Sequence, residues 1–275
     1  RNLPDNCLVE RINLQLTSTQ KRFSILNFFY PLFWKELKII QTIYKQKLTI
    51  GILATMLISL SRAKKIKEYS KKLIENSNPE TKLFFYSYWC DDVAIGLAML
   101  QRNKTKVQTV CRVHRWDVYF DQSAYGYLPF RYFIASNLTS VFPISEDALY
   151  YIQNVWKVKN IQNIRLSRLG ISEQIKLSQQ KKEIFTIVSC SNLIPVKRVD
   201  LIAKAVILMD GEFPFRWIHI GDGPERKNIE SIVANISPNT LIQFMGRMKN
   251  QDIFAHINLL KGERSYLAEL ASNLL

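Results

Sequence analysis

The chain has little with which to cross-link itself or to bind a metal. Its four cysteines, Cys7, Cys90, Cys111 and Cys190, are scattered through 275 residues and form no Cys-x-x-Cys pair, which excludes a disulfide framework and a thiolate zinc site. Only His114, His219 and His256 are present, and none stands four residues from another, so no helical histidine metal motif exists either. A reducing compartment fits this cysteine usage. No apolar run reaches the ~18 residues of a membrane-spanning helix; the longest, 48–60, is broken by Thr49, Gly51, Thr55 and Ser59. The first residues, Arg1 to Asn6, are polar, carry no initiator Met and form no secretory leader, which predicts a chain that starts inside a longer product with its first strand outside it. Acidic residues are outnumbered, 23 against 38 Lys+Arg, for a net charge of +15. What is abundant is apolar: at 47% hydrophobic and 22% charged residues the chain builds a core and is not disordered, and its length suits two domains.

Residues 1–80 read as helical, with an aromatic-rich stretch at 23–34. In an amphipathic segment at 63–74, Ile66, Tyr69 and Leu73 share one face while Arg62 and five lysines crowd the rest. That basic face is either solvated or a contact for an anionic membrane surface. The rhythm then changes to alternating strand and helix: strands at 82–89, 107–113 and 140–144, and a helix at 93–101. Ser145 is set to cap a helix opening on Glu146 and Asp147 and burying Leu149, Ile152 and Trp156. A polar stretch, 172–183, marks a domain boundary. The alternation restarts with strands at 185–190, 216–220 and 241–245 and helices at 199–209 and 225–236, spacings that suit parallel βαβ units. The fold class is therefore α/β, two doubly wound Rossmann-like domains (1–172 and 173–275) facing a cleft. No solenoid repeat is present.

Open parallel sheets bind ligands beyond the carboxyl ends of their strands, and three segments fall there. The segment 189–198 runs from a strand end to a helix start and delivers Lys197 and Arg198, a point charge and a fork for phosphate. The same pair also fits a solvated first turn. Gly221-Asp222-Gly223-Pro224 follows the next strand; its free amides suit an anion, and it equally fits a plain turn. In the first domain His114 and Asp117 lie just past the strand 107–113, a pair suited to hydroxyl recognition or proton transfer, or to a purely structural part.

Taken in order, the stretches YSYWCDDVAIGLAML, CRVHRWDVYFDQSAYGYLPFR, VFPISEDALYYI, RLSRLGI, IVSCSNLIPVKRVDLIAKAV, WIHIGDGPERKNIE and IQFMGRMKNQDI resemble the retaining GT-B glycosyltransferases of family 4, especially those that build bacterial lipopolysaccharide, capsule and exopolysaccharide. The resemblance covers about residues 86–253. It implies transfer of a sugar from a nucleotide-diphosphate sugar to a glycan or lipid-linked acceptor, an N-terminal acceptor domain, a C-terminal donor domain and a hinge near 172–183. It places Lys197 on the donor diphosphate with Arg198 beside it, Gly221, Asp222 and Gly223 along the nucleotide-sugar, and His114 near the transferred sugar or acceptor hydroxyl, with Asp117 in the same loop. It further implies no metal or other cofactor, the donor's own phosphate as base, and a cytoplasmic enzyme, peripheral on the inner face of the membrane.

Three departures stand out. Ser191 occupies the place of an arginine six residues before the lysine, Arg115 replaces a glycine after the loop histidine, and the family's two glutamates separated by seven residues have no counterpart, since Glu263 and Glu269 are separated by five. The last of these predicts a donor domain cut short. It also keeps open an inactive or incomplete relative; a basic nucleic-acid-binding protein is a further reading from charge and aromatics, without a recognised motif.

Overall fold

The computed structural model describes residues 12–101, 107–158, 161–170, 184–249, 252–253 and 265–267. The chain divides into two compact units, Arg1–Gly170 and Ile171–Leu275. The polar stretch 172–183 lies outside the described residues.

The first unit opens with helices. α1 (Ser18–Phe23) starts on a capping box in which the Thr17 hydroxyl accepts from the Gln20 amide and the Gln20 side chain accepts from the Thr17 amide. A 3-10 turn, Ser24–Phe29, leads to α2 (Pro31–Thr42), whose Pro31 suits a first helical position. The interrupted apolar run and the basic amphipathic segment turn out to be one helix, α3 (Ile50–Glu75), capped by Thr49. Its buried stripe runs through Ile52, Met56, Leu60, Ala63, Ile66 and Ser70, whereas Leu73, expected on the inner face, is exposed. No helix among the described residues is long and apolar enough to cross a membrane.

The sheet follows: β1 (Phe84–Ser87), α4 (Asp92–Gln101), β2 (Gln108–Val113), α5 (Arg115–Val118), α6 (Arg131–Asn137), β3 (Ser140–Pro143) and α7 (Glu146–Asn154). The strands pair in parallel in the order β1-β2-β3, and residues 163–167 extend the ladder along β3 through Val141 N–H to Asn163 O, Arg165 N–H to Val141 O and Ser167 N–H to Pro143 O. α4 is apolar all round and buried on almost every side, between α3 and the sheet. The Ser145 hydroxyl caps α7 by accepting from the Ala148 amide, and Ile152 and Trp156 are buried as the spacing predicts.

A buried carboxylate sits at the edge of this core. Glu36 of α2 accepts from the Tyr127 hydroxyl at 2.7 Å and from the Phe130 amide at 2.9 Å, and its second oxygen has no partner among the described residues. Burial pushes its pKa up to about 7 against the hydrogen bonds and Arg131, which pull it down. The protonated form is thus favoured by folding, so this stabilising contribution is complete below the ordinary glutamate range and is lost as pH rises through about 7. Urea unfolding of the wild type is expected to show a loss on the order of 3 kcal/mol from this group between pH 4 and 8. Glu36→Gln, neutral throughout, should flatten that slope; an unchanged slope would show that Glu36 is not its source.

The second unit comprises β4 (Phe185–Cys190), α8 (Val199–Met209), β5 (Phe215–Ile220), α9 (Arg226–Ile232), β6 (Thr240–Gly246) and β7 (Ser265–Leu267). The chain alternates as the sequence predicts, although α9 stops at Ile232, short of the expected end at 236. All pairings are parallel, in the order β6-β5-β4-β7. Trp217 and Phe215 fill the core with Val199, Ala203 and Val206 of α8 and Ile229 of α9. β5 and β6 build out from one side of β4 and β7 from the other, so strand order reverses between β4 and β7.

Candidate functional site

In a doubly wound sheet the loops on either side of a strand-order reversal leave the sheet in opposite directions and open a crevice beyond the carboxyl ends. In the second unit that reversal is at β4, and the segment leaving β4 carries Ser191 to Lys197 toward α8. Pro195–Lys197 form a 3-10 turn, and Arg198 takes a left-handed conformation (φ 51°) just before α8. Lys197 is half-buried, and desolvation lowers its pKa from the usual lysine value. Arg198, expected beside it on phosphate, is exposed; its guanidinium is paired to Asp200, with Nε at 3.1 Å from Oδ1, which also raises its pKa. The two neighbouring cations therefore differ: Lys197 is the one partly shielded from water.

The Gly221–Gly223 turn after β5 corrects the sequence expectation. Its two glycine amides are spent on the protein: Gly221 donates to Gly246 O at 2.8 Å and Gly223 to its neighbour Asp222 Oδ1 at 2.8 Å, and just beyond the turn Glu225 donates to Leu193 O at 3.1 Å. The glycines serve instead to let two loops touch. A Cβ on Gly221 (φ 140°) would fall deep inside the Ser191 carbonyl oxygen, and one on Gly223 inside the Leu193 carbonyl. The Asp222 carboxylate is also committed, to the Gly223 amide and to Arg226 at 3.5 Å.

Beneath this contact lies a residue that the sequence brings in only where a histidine metal site is excluded. His219 of β5 is fully buried, its Nε2 lies 3.1 Å from Ser191 O and its Nδ1 lies 2.8 Å from Ser189 Oγ, which also accepts from Trp217 Nε1 at 2.9 Å. A carbonyl can only accept, so Nε2 bears the proton and Nδ1 accepts from the serine hydroxyl. Burial lowers the pKa of His219 and keeps it neutral in this chain of bonds. The Ser191 carbonyl is thus gripped by an imidazole below and a glycine beside it, which fixes the backbone that leads to Lys197. The only local hint is alternation: His219 falls between two core residues on a strand, where a polar group must find partners.

In the first unit the loops after β1 and β2 meet at His114 and Asp117. Asp117 is fully buried; its Oδ1 accepts from the His114 amide at 2.6 Å and its Oδ2 from the Cys90 amide at 2.8 Å. Burial pushes its pKa up to about 6, while Arg131, whose Nε donates to Asp117 O at 2.8 Å, pulls it down. Asp117, expected within reach of a substrate, is fully buried, and both of its oxygens accept from backbone amides that clamp the two loops together. His114 is different. It is 4% exposed, its ring is hydrogen-bonded by the Tyr88 backbone, and its Nε2 is buried with no hydrogen-bond partner among the described residues. Aromatic rings surround it, Trp89 at 4.3 Å and Tyr88 at 4.8 Å between centroids, with half-exposed Trp116 against Trp89 at 5.3 Å. Burial lowers the pKa of His114, which favours its neutral form.

Among the described residues no group of three or more His, Cys, Asp or Glu could hold a metal, and Cys90, Cys111 and Cys190 are free thiols. Glu263 and Glu269 lie outside the described residues.

No protein-family profile matches the chain, and no curated protein matches its sequence. Solved structures do resemble it in fold. The lipopolysaccharide outer core galactosyltransferase WaaB superposes with a TM-score of 0.51 at 12% identity, over 73% of this chain and 53% of WaaB. A glycosyltransferase from Rickettsia africae ESF-5 gives 0.51 at 15% identity, over 79% of this chain and 56% of its own. This chain spans about half the length of either. Its architecture is the α/β, parallel-sheet fold of GT-B glycosyltransferases.

Proposed function

We propose that the chain transfers a sugar from a nucleotide-diphosphate sugar to a glycan or lipid-linked acceptor, with retention of configuration, in the building of surface polysaccharide. The observation that carries this reading is the strand order β6-β5-β4-β7, because its reversal falls where Lys197 leaves the sheet. The second unit is read as the donor domain and the first as the acceptor domain. In the reaction the ammonium of Lys197 offsets charge that develops on the departing diphosphate, an electrostatic task that requires no metal or other cofactor. His219, through Ser191, holds the loop in place. His114 accepts a hydrogen bond from a hydroxyl of the transferred sugar or acceptor at its unpartnered Nε2, and Asp117 fixes that imidazole. The acceptor proton passes to a phosphate oxygen of the donor, so no carboxylate base is required of the protein. A cytoplasmic site of action on the inner membrane face belongs to the same reading.

Thermal unfolding in the presence of UDP, GDP and ADP tests it. One of the three at about 100 times its dissociation constant should stabilise the protein by roughly 2.7 kcal/mol. Lys197→Ala should weaken that nucleotide by about tenfold to a hundredfold, the loss of one charge-assisted contact. Absence of a response to all three would overturn the proposal in favour of an inactive relative or a different ligand class, and steep salt-dependent retention of nucleic acid would favour a binding protein.

A further inference from the structure

The segment 18–29 is folded inside out. Across α1 and the 3-10 turn that follows it, the buried residues are two polar ones, Ser24 and Asn27, three apart on one face. They are held to α3 by hydrogen bonds: Asn27 Nδ2 donates to Leu57 O at 2.9 Å and to Ser61 Oγ at 2.7 Å, and Ser61 Oγ donates to Ser24 Oγ at 2.9 Å. The apolar side chains face outward instead. Phe23 is 65% exposed, Ile25 and Leu26 are each 59% exposed, and Phe29 is 80% exposed. Half-exposed Trp34 of α2 joins them through Phe28, whose ring centroid is 4.6 Å away and whose carbonyl accepts from Trp34 Nε1. A helical segment that spends its polar groups on the protein and its phenylalanines on the outside is arranged for an apolar phase.

Charge identifies that phase. Residues 12–67 hold ten Lys and Arg and a single carboxylate, Glu36, which is buried. Lys21, Arg22, Lys35 and Lys38 of the same two helices are exposed, and α3 adds Lys64, bonded to Asn27 Oδ1 and lying 4.1 Å from the Tyr30 ring, and Lys65, bonded to Gln20. Aromatic and branched apolar side chains accompanied by cations are the complement of a bilayer interface bearing anionic headgroups. The sequence leaves the basic helix face at 63–74 as either solvated or a contact for an anionic membrane surface; the exposed apolar side chains lie on the 23–34 stretch.

We infer that residues 18–34 dock the first unit onto an anionic membrane, with Phe23, Ile25, Leu26, Phe29 and Trp34 entering the interface and Lys21, Arg22, Lys35, Lys64 and Lys65 meeting phosphates. This rests on the first unit alone and does not depend on the transferase reading. Co-sedimentation of the full chain with vesicles tests it. Binding is expected to vesicles of phosphatidylcholine with about one-third phosphatidylglycerol, to weaken as salt is raised, and to be absent with phosphatidylcholine alone. The exposed double variant Leu26→Ser/Phe29→Ser should bind the anionic vesicles at least about tenfold more weakly, with its thermal unfolding and nucleotide response unchanged. No binding by the wild type, or equal binding by the variant, would overturn the inference. So would a wild-type dimer in solution that the same double variant dissolves, since the patch would then belong to a second copy of the chain.

Discussion

Gly221→Ala is expected to destabilise the second unit by about 3–5 kcal/mol, the sum of an unfavourable backbone conformation and an overlap that cannot relax without moving a strand end. At φ 140° an alanine is strained whatever space surrounds it, and here there is none, because its methyl group would enter the Ser191 carbonyl oxygen. That oxygen cannot step aside cheaply: it accepts from His219 Nε2, and the Ser191 amide donates to Ile220 O at 3.0 Å. Denaturant unfolding should give a markedly lower midpoint at an unchanged slope. If the unit instead survives by displacing the Ser191 loop, the nucleotide response of Lys197 should disappear while stability holds. A variant with wild-type midpoint and wild-type response would show that the two loops do not meet as described.

Asp117→Ala should be comparably severe in the first unit. It leaves the buried amides of Cys90 and His114 without acceptors, each costing about 1–3 kcal/mol, and so predicts a loss of roughly 2–5 kcal/mol in denaturant unfolding. The damage is not confined to stability. This carboxylate holds the backbone of both loops after β1 and β2, so its loss leaves the His114 ring with only its bond to the Tyr88 backbone and its aromatic contacts, and any activity should fall in the fraction of Asp117→Ala that remains folded. Asp117→Asn separates the roles: it keeps one acceptor oxygen, presents an amide nitrogen to the other N–H, and should fall between wild type and alanine. A proton-transfer role for Asp117 would show otherwise, as a lost limb of the pH–rate profile in Asp117→Asn with stability intact.

Much of the framework was legible because a parallel α/β unit repeats a local pattern. The strand Phe185–Cys190 and the helix Val199–Met209 appear with the predicted bounds, and the Ser145 cap follows from one hydroxyl ahead of two acids. β7 was not legible. It is three residues long and owes its pairing to β4 rather than to any periodicity of its own. Yet that strand creates the reversal that makes β4 the centre of the candidate site.

Side-chain roles divided along the same line. The types and chain positions of Lys197, His114, Asp117, Gly221 and Gly223 marked strand ends, which the sequence alone determined, because hydrophobic alternation and turn-forming residues act over a few positions. Which of these groups are spent on the protein and which are left over was decided only when distant segments met. Asp117 is consumed by amides 27 and 3 residues away in the chain, Gly221 is required by a carbonyl at Ser191, and His219 is drawn into a bond with that same carbonyl. Asn27 and Ser24 turn inward only because α3 offers them partners. A local pattern records whether a residue is apolar or polar; it cannot record a hydrogen-bond partner thirty residues off, and it is those partners that separate the structural carboxylate from the unsatisfied imidazole.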